Sequence, residues 1–302
     1  MSSNLCITGV SGFIGGRVAE EAARRGYNVI GVDRVESQAE GIEFVRADVR
    51  DRERMRQILK RQEFVIHLAA VTANVEFVKD PGRGYDTNVV GFLNVMEGAA
   101  RGDCRRLVFA SSAAVYLDTF AEDAPIDVRM QTNHYAKSKV INEMTAESYA
   151  AISEMKTIGL RYFNVYGDGE NEKGDYASII TLFLRAKAQG APLLVYGDGR
   201  QARDLTNVID AARVTMELLE KGSDDVYNVG TGVATSYGTI ASMIAKDAIR
   251  YVANPLASYQ YYTRAETTRL RGVLGDYRFI TVEKGMKAMR AWQDVAARGA
   301  CQ

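Results

Sequence analysis

Short apolar runs alternate with longer amphipathic stretches through the first half of the chain. Apolar runs of this length are typical of strands buried in a parallel sheet, and amphipathic stretches are typical of helices that cover such a sheet. The pattern predicts strands over residues 27–32, 42–46, 64–68, 106–111 and 157–161, and helices over residues 50–61, 83–100, 135–151 and 176–189. This alternation favours an α/β fold in which a doubly wound parallel sheet carries helices on both faces.

The first apolar run, residues 5–8, ends in three glycines spaced three apart and opens into a predicted helix over residues 17–25. Gly9 lets the chain turn tightly, Gly12 lets a pyrophosphate approach the backbone, and Gly15 lets the helix pack closely on the sheet. The helix N-terminus then offers N–H groups to a phosphate. Glycine turns between a strand and a helix also occur for packing reasons alone, so the loop needs support from the residues that follow it.

Acidic residues at the ends of the next two strands supply that support. Asp33 follows the loop by about 20 residues, where a carboxylate accepts from the ribose 2′-hydroxyl of a bound dinucleotide. Asp33 therefore favours a Rossmann unit that binds NAD rather than NADP, although Arg34 beside it suits a 2′-phosphate. Asp48, followed by Val49, either accepts from the adenine amine or caps the helix predicted over residues 50–60.

The fourth predicted strand ends in small residues, as is needed where backbone runs beneath a cofactor. These residues are Leu68, Ala69 and Ala70. His67 before them is interpreted as a packed histidine at the strand end and not as an acid or a base.

The fifth strand ends at the carboxyl edge of the sheet, where open α/β folds place their ligands, and it ends in Ser111 and Ser112. The helix that follows carries Tyr135 and Lys139, which are four positions apart and so share one face. An ammonium within about 4–6 Å of a tyrosine hydroxyl lowers its pKa by roughly 1–3 units. The sequence thus predicts Tyr135 as the base, Lys139 as its activator and a ligand of the nicotinamide ribose, and Ser112 as a hydrogen-bond partner of the reacting substrate oxygen.

Composition and charge exclude several classes of protein. The chain has 302 residues, 47% hydrophobic and 25% charged, which is enough for one large core or two modest ones. Lys+Arg 38 against Asp+Glu 38 leaves a formal net charge of zero, so neither nucleic acid nor a membrane is expected as a partner. Cys6, Cys104 and Cys301 lack C-x-x-C spacing, and no disulfide framework or metal site is predicted. Without a leader segment or an apolar run of about 18 residues, we expect a cytoplasmic protein.

Taken together, these residues resemble the NAD-dependent epimerase/dehydratase family of the extended short-chain dehydrogenases/reductases. The resemblance extends over residues 5–232. It rests on the motifs Gly9-x-x-Gly12-Phe13-Ile14-Gly15, His67-Leu-Ala-Ala70, Asn88 with Gly91, Ser111-Ser-Ala-Ala-Val-Tyr116, Tyr135-x-x-x-Lys139, Arg161-Tyr-Phe-Asn164, Tyr196-Gly-Asp-Gly-x-Gln-x-Arg203-Asp and Asn228-x-Gly-Thr-Gly232.

Membership of that family would imply a catalytic trio, an NAD site and a nucleotide-sugar site. The trio is Ser112, Tyr135 and Lys139. Substrate contacts are expected from Ser112, Tyr135, Asn164, which would hold the nucleotide-sugar, Arg203, whose guanidinium suits a diphosphate, and Arg264. Cofactor contacts are expected from Gly9, Gly12, Phe13, Ile14, Gly15, Asp33, Arg34, Asp48, Val49, Leu68, Ala69, Ala70, Asn88, Tyr135, Lys139 and Tyr162.

The assignment of Arg203 has an alternative, and the chain differs from the family's motifs at three places. An ion pair of Arg203 with Asp204 or Asp198 is the alternative to a diphosphate contact. Leu117 stands where the family has Gly, residues 133–134 replace its Pro, and the segment 267–275 is contracted, so we expect a reshaped substrate loop.

Dehydratases and decarboxylases of the superfamily carry Asp or Glu between the catalytic Ser or Thr and the Val-Tyr pair, whereas this chain has Ala113 and Ala114. A methyl group cannot move a proton, so hydride chemistry at a single carbinol remains. The resemblance implies C4 epimerisation of a nucleotide-sugar of the UDP-glucose/UDP-galactose type. An NAD(P)-dependent reductase or dehydrogenase of a nucleotide-sugar or small alcohol is the alternative.

The predicted architecture is a Rossmann domain with a smaller α/β substrate domain. The first takes residues 1–165 and about 204–230, and the second takes residues 166–203 and 231–302. A homodimer is expected through the helices at 83–100 and 135–151, as in the family. Their apolar positions include Val89, Phe92, Leu93, Met96, Val140, Ile141 and Met144.

Overall fold

A seven-stranded parallel sheet forms the centre of the computed structural model, which describes residues 2–72, 74–117, 120–254 and 260–289. The strands are β1 (Asn4–Thr8), β2 (Asn28–Asp33), β3 (Glu43–Arg46), β4 (Phe64–His67), β5 (Arg106–Ser112), β6 (Lys156–Tyr162) and β7 (Asp225–Val229). Their spatial order is β7-β6-β5-β4-β1-β2-β3, so the chain reverses direction across the sheet beside β1. Ligands of open α/β sheets bind at the carboxyl ends of the strands near such a reversal.

Helices cover both faces of this sheet and also build a second unit beside it. They are α1 (Phe13–Arg24), α2 (Arg52–Leu59), α3 (Asn74–Lys79), α4 (Pro81–Tyr85), α5 (Gly91–Arg101), α6 (His134–Ile152), α7 (Ile179–Ala188), α8 (Val208–Lys221), α9 (Tyr237–Ala245) and α10 (Thr268–Leu274), followed by a helix over residues 282–289. The predicted Rossmann-type α/β fold is confirmed. Of the helices within the described ranges, none is long and apolar enough to cross a membrane.

Alternate residues of β1 supply two separate cores. Leu5 and Ile7 are fully buried in a cluster with Val18 of α1 and Val214 of α8. Cys6 between them faces the other side, in a cluster with residues of α2 and α5. Because both faces of the strand are buried, the strand is continuously apolar, and this explains the unbroken run in the sequence.

The second unit has a core of its own. Short parallel strands Leu193–Tyr196 and Ile249–Val252 pair, and buried side chains of α7, α9 and residues 282–289 pack with them. Leu270 of α10, in contrast, belongs to the same cluster as Leu5 and Ile7, although residue 270 falls in the predicted second domain. The chain therefore returns to the first unit after leaving the second.

Several predicted element boundaries are wrong because local capping sets the true ones. The helix predicted from residue 50 begins at Arg52, since the Asp51 carboxylate accepts from Arg54 N at 3.0 Å. The helix predicted from residue 176 begins at Ile179, where Ser178 caps it. The helix predicted over residues 83–100 is divided into α4, a π-helical turn at Asp86–Val90, and α5.

Candidate active site

The glycine loop joins β1 to α1 at the carboxyl edge of the sheet. Gly9 has φ +74°, and a Cβ there would lie 2.5 Å from Ala69 N, so no other residue fits. A Cβ at Gly15 would overlap the carbonyl oxygen of Gly9 and lie 2.8 Å from its carbonyl carbon. The loop therefore depends on close backbone packing, and it leaves the N-terminus of α1 open towards a cavity that Gly12 lines.

That cavity has a volume of about 540 Å³ and runs along the carboxyl ends of β1, β2, β4 and β5. Fifteen of the sixteen expected cofactor residues line it, namely Gly9, Gly12, Phe13, Ile14, Gly15, Asp33, Arg34, Asp48, Val49, Leu68, Ala69, Ala70, Tyr135, Lys139 and Tyr162. The glycine-lined wall at Gly9, Gly12 and Gly15 and the N-terminus of α1, which has no side-chain cap, fit a dinucleotide.

Asn88 is the expected cofactor residue that does not line this cavity. Its side chain is 1% exposed. Its amide oxygen accepts from Val71 N at 2.7 Å, and its amide nitrogen donates to Val71 O at 2.9 Å and to Ser138 Oγ at 3.1 Å. The π-helical turn directs Asn88 inward, where it fastens the chain after β4 to α6 and has no donor left for a cofactor.

Asp33 lies at the rim of the cavity with its carboxylate held by backbone. It accepts from Ser11 N at 3.1 Å, Arg34 N at 2.7 Å and Val35 N at 3.3 Å. These bonds fix the carboxylate beside the glycine loop.

Asp48 also lines the cavity, but it is not the cap of α2, so that alternative is wrong. Its carboxylate forms an ion pair with Arg50, 2.6 Å at the closest approach, and this side-chain hydrogen bond is the largest cause of its lowered pKa. An adenine amine would therefore share an acceptor with Arg50.

Three consecutive residues at the end of β5 hold the face of α6 that carries Tyr135 and Lys139. The Lys139 ammonium donates to Ala110 O at 2.8 Å, Ser111 Oγ donates to Glu143, and the Ser112 side chain hydrogen-bonds Tyr135. The N-cap of α6 is Asn133, which accepts from Ala136 N at 3.2 Å and so fixes the first turn, where Tyr135 lies.

The expected activation of Tyr135 by Lys139 is not what the structure shows. The Lys139 ammonium lies 5.7 Å from the centre of the Tyr135 ring and donates to a backbone carbonyl. Burial raises the pKa of Tyr135, and only the hydrogen bond with Ser112 lowers it. The prediction of a lowered pKa was wrong for the protein alone, because spacing on a helix reveals proximity but not the desolvation of the phenolate.

Lys139 and His67 are buried together beneath the catalytic face. Burial lowers the pKa of Lys139 to about 8, and the negative charge of Glu143 opposes that shift. Burial and the positive charge of Lys139 lower the pKa of His67 to about 3, so the imidazole stays neutral, 2.8 Å from Thr8 Oγ1. This supports the interpretation of His67 as a packed residue.

A buried ion pair that the sequence interpretation missed lies one turn beyond Lys139. Arg161 donates to the Glu143 carboxylate from Nε at 2.9 Å and from Nη2 at 2.8 Å, and the two side chains are 7% and 10% exposed. Arg161 Nη1 also donates to Tyr116 OH, which donates to Asn228. The spacing of Glu143, four residues after Lys139 on the same helix, was the available signal.

A second cavity of about 290 Å³ adjoins the first on the side of the second unit. Asn164 and Arg203 line it, and Val165 and Lys173 line both cavities. Asn164 Nδ2 donates to Asp204 O at 3.1 Å and to Thr263 Oγ1 at 3.0 Å, which fixes its amide at the cavity wall.

Arg203 is held at this wall by backbone and by an aromatic ring. It is 7% exposed, donates to Ala202 O at 2.9 Å and to Gln260 O, and lies 5.6 Å from the centre of the Tyr237 ring. The Asp204 carboxylate accepts from the backbone N–H groups of residues 231, 232 and 265.

Arg264 is exposed and is among the lining residues of neither cavity. Lys173 lines both, although sequence reasoning did not select it, because it comes from a loop that folds back over Phe13, 4.1 Å from the ring centre. Other lining residues missed from the sequence are Thr72, Glu76, Arg83 and Thr87.

A protein family, individual proteins and solved structures are similar to this chain. The sequence model of the NAD dependent epimerase/dehydratase family matches residues 5–230. A UDP-N-acetyl-alpha-D-glucosaminuronate decarboxylase of Bacillus cytotoxicus is 32% identical over 262 residues, 81% of this chain and 80% of that protein. A UDP-glucose 4-epimerase of Rhizobium meliloti is 30% identical over 280 residues, 82% and 83% of the two chains. The structure of MoeE5 in complex with UDP-glucose and NAD matches with a TM-score of 0.86 at 27% identity, covering 98% of this chain and 100% of that one.

Proposed function

The chain belongs to the NAD-dependent epimerase/dehydratase family, and from that membership we propose that it inverts C4 of a nucleotide-sugar of the UDP-glucose/UDP-galactose type. The observation that carries the proposal is the position of Ser112, Tyr135 and Lys139 on the wall of the dinucleotide cavity, beside a second cavity that Asn164 and Arg203 line. An NAD-dependent epimerase needs such an arrangement, because the sugar carbon must face the cofactor while the nucleotide is held elsewhere.

NAD supplies a hydride acceptor and donor when it is bound. The chain supplies the proton transfer and the orientation. We propose that Tyr135, in its phenolate form, takes the proton of the C4 hydroxyl and that the resulting phenol later returns it, with Ser112 as the hydrogen-bond partner of the same substrate oxygen. Lys139, anchored on Ala110 O, holds its ammonium 5.7 Å from the centre of the Tyr135 ring, where a positive charge would favour the phenolate.

Ala113 and Ala114 support epimerisation over elimination or decarboxylation. Both follow Ser112 directly in a 3₁₀ turn, and Ala113 is buried. Neither can hold or move a proton, so an additional acid or base is absent from these two positions. The likeness to a decarboxylase therefore reflects the shared fold and cofactor chemistry in our proposal.

The substrate anchor is proposed to be Arg203 together with Asn164. A guanidinium that is already held by Ala202 O and Gln260 O loses little conformational freedom when it binds a diphosphate. Arg264 is left out of the proposed site because it is exposed and lines neither cavity.

A homodimer is also proposed, with a cytoplasmic location and the two-domain division stated above, except that α10 is assigned to the first domain because Leu270 packs in its core. Leu93 and Met144 are 44% and 52% exposed on α5 and α6, and Val90 beside them is 45% exposed. Phe92, Met96 and Val140 from the same predicted set are buried in the chain's own core. Fewer apolar side chains are therefore available for the proposed interface with a second copy than the sequence pattern predicted.

One experiment tests the epimerase proposal against the dehydrogenase alternative. The purified protein is denatured and its supernatant assayed for NAD, and the intact protein is offered UDP-glucose, UDP-galactose and their N-acetyl forms without added cofactor. We expect bound NAD and interconversion of at least one pair. A protein that binds no NAD on purification and needs stoichiometric added cofactor for any turnover contradicts epimerisation and favours the dehydrogenase.

A further inference from the structure

The buried carboxylate of Glu143 lies on the same helix as the catalytic pair. Tyr135, Lys139 and Glu143 follow one another at four-residue spacing on α6, and each contacts one residue of the same three-residue segment of β5. Glu143 does not line the dinucleotide cavity or the second cavity. It therefore cannot act on substrate directly, and any effect on the reaction passes through Lys139.

Few groups around Lys139 stabilise its positive charge. The ammonium is 2% exposed, and its hydrogen bond to Ala110 O engages one of three donors. The ionisable groups that face it are His67 from β4 and Tyr135 and Glu143 from α6. His67 is neutral, and burial raises the pKa of Tyr135, which disfavours a negative charge on its oxygen in the protein alone. Glu143 is the single negative charge among these groups in the described part of the chain, and it is paired with the positive charge of Arg161 from β6, which offsets part of its effect on Lys139.

The position of that charge is fixed by three hydrogen-bond donors on two strands. Arg161 of β6 grips both carboxylate oxygens, Ser111 of β5 donates to one of them, and Ser111 and Arg161 are direct neighbours in the sheet register. A carboxylate held this firmly keeps a constant distance from Lys139, because both belong to one helix packed on the same strand ends.

We propose that Glu143 is a positioning residue that keeps Lys139 protonated and docked on Ala110 O, so that it sets the upper pH limit of the reaction. The inference rests on the role proposed above for Lys139 in catalysis. Burial alone penalises the ammonium, and the negative charge one turn away opposes that penalty. Without Glu143 the ammonium loses its proton at a lower pH, and turnover falls on the alkaline side at a lower pH as well.

The test is a titration of Lys139 in protein labelled with ¹³C at the lysine ε-carbon, with Lys139→Met assigning the resonance. Glu143→Gln is expected to lower the midpoint by about one pH unit, a tenfold loss of proton affinity. The alkaline limb of the kcat profile should move by the same amount. Glu143→Asp keeps the charge and should restore most of the midpoint.

Tyr116→Phe is the matched control. It removes two hydrogen bonds from the same buried network, one from Arg161 Nη1 and one to Asn228, and leaves both charges in place. It should lower the thermal stability without moving the Lys139 midpoint. If Glu143→Gln is too unstable, the double variant Glu143→Gln/Arg161→Gln replaces the pair with neutral amides, and it should also lower the midpoint, by less.

A Lys139 midpoint that is unchanged in Glu143→Gln or in the double variant overturns the proposal, and so does an equal shift in Tyr116→Phe, which would show a purely structural effect. Because the NMR titration needs no substrate, it separates this inference from the proposed reaction. A shifted midpoint in a protein that epimerises nothing would support the electrostatic role of Glu143 and contradict only the proposed function.

Discussion

Adjacent glycines in α1 offer a sharp test of how the glycine loop binds the cofactor. Both Gly15 and Gly16 are helical, but their surroundings differ. A Cβ at Gly15 would overlap Gly9 O and lie 3.1 Å from Val10 Cα, whereas a Cβ at Gly16 would meet nothing nearer than Val10 O at 3.6 Å, an ordinary contact. Gly15→Ala and Gly16→Ala therefore make the same chemical change, but only the alanine at position 15 clashes with the loop.

The expected magnitudes follow from these distances. Alanine in a helix interior is more stable than glycine by roughly 0.5–1 kcal/mol, so Gly16→Ala should raise the melting temperature slightly. Gly15→Ala must move α1 from the loop by roughly an ångström, which costs about 1–3 kcal/mol of stability. The same shift withdraws the helix N-terminus from the phosphate, and losing one charge-assisted hydrogen bond of about 1.5–3 kcal/mol weakens binding roughly tenfold to a hundredfold.

Calorimetric titration of each apo-protein with NAD, beside a thermal melt, checks both numbers. Gly16→Ala should bind NAD like the wild type, and Gly15→Ala should bind at least about tenfold more weakly. Equal NAD affinity in the two variants would refute the argument that close packing of Gly15 on Gly9 shapes the phosphate site.

Four further predictions follow from the site. Tyr135→Phe should lower turnover by about 10²–10⁴-fold and leave NAD binding intact, as measured by kinetics and calorimetry, and a near wild-type rate would exclude Tyr135 as the base. NAD should bind more tightly than NADP because Asp33 repels a 2′-phosphate, and the reverse order in a calorimetric titration would mean that Arg34 decides the preference. Arg203→Ala should raise the substrate KM and weaken UDP inhibition roughly tenfold to a hundredfold while sparing NAD, and unchanged values of both would favour a small-alcohol substrate. Burial, with a smaller contribution from Glu266, raises the pKa of Glu122 to about 7. Because the native protein then holds a proton that the unfolded chain releases, the free energy of unfolding should fall as the pH rises from about 4.5 to 7. A Glu122→Gln variant whose melting temperature keeps the same pH dependence would contradict this.

The fold could be predicted from the sequence because its signals are local and repeated. Strands buried on both faces are continuously apolar, as in β1, and a glycine loop between a strand and a helix leaves few alternatives. The positions of Asp33 and of the Tyr135–Lys139 pair followed from the same reasoning, because strand ends and helix spacing fix where side chains lie.

What could not be predicted depends on contacts between distant segments. The inward rotation of Asn88 needs Val71 and Ser138, and the place of Lys173 needs a loop that returns over Phe13. The raised pKa of Tyr135 is a matter of desolvation, which periodicity does not reveal. Asp48 and Asp51 are both reasonable caps in sequence, and only the geometry of the turn selects Asp51. Arg264 was assigned by resemblance in a segment that is shorter than in the family. Its alignment with the family's residue does not follow from the sequence alone.

If one carbinol is oxidised and then reduced within the same site, the hydrogen that leaves C4 is the one that returns to it. Following that hydrogen therefore tests the proposed reaction. UDP-galactose carrying deuterium at C4 is incubated with the NAD-loaded protein in ordinary water, and the product is examined by mass spectrometry and proton NMR. We expect UDP-glucose that keeps the deuterium at C4, with no net formation of NADH. Loss of the deuterium to solvent, or accumulation of a keto sugar with stoichiometric NADH, would contradict it.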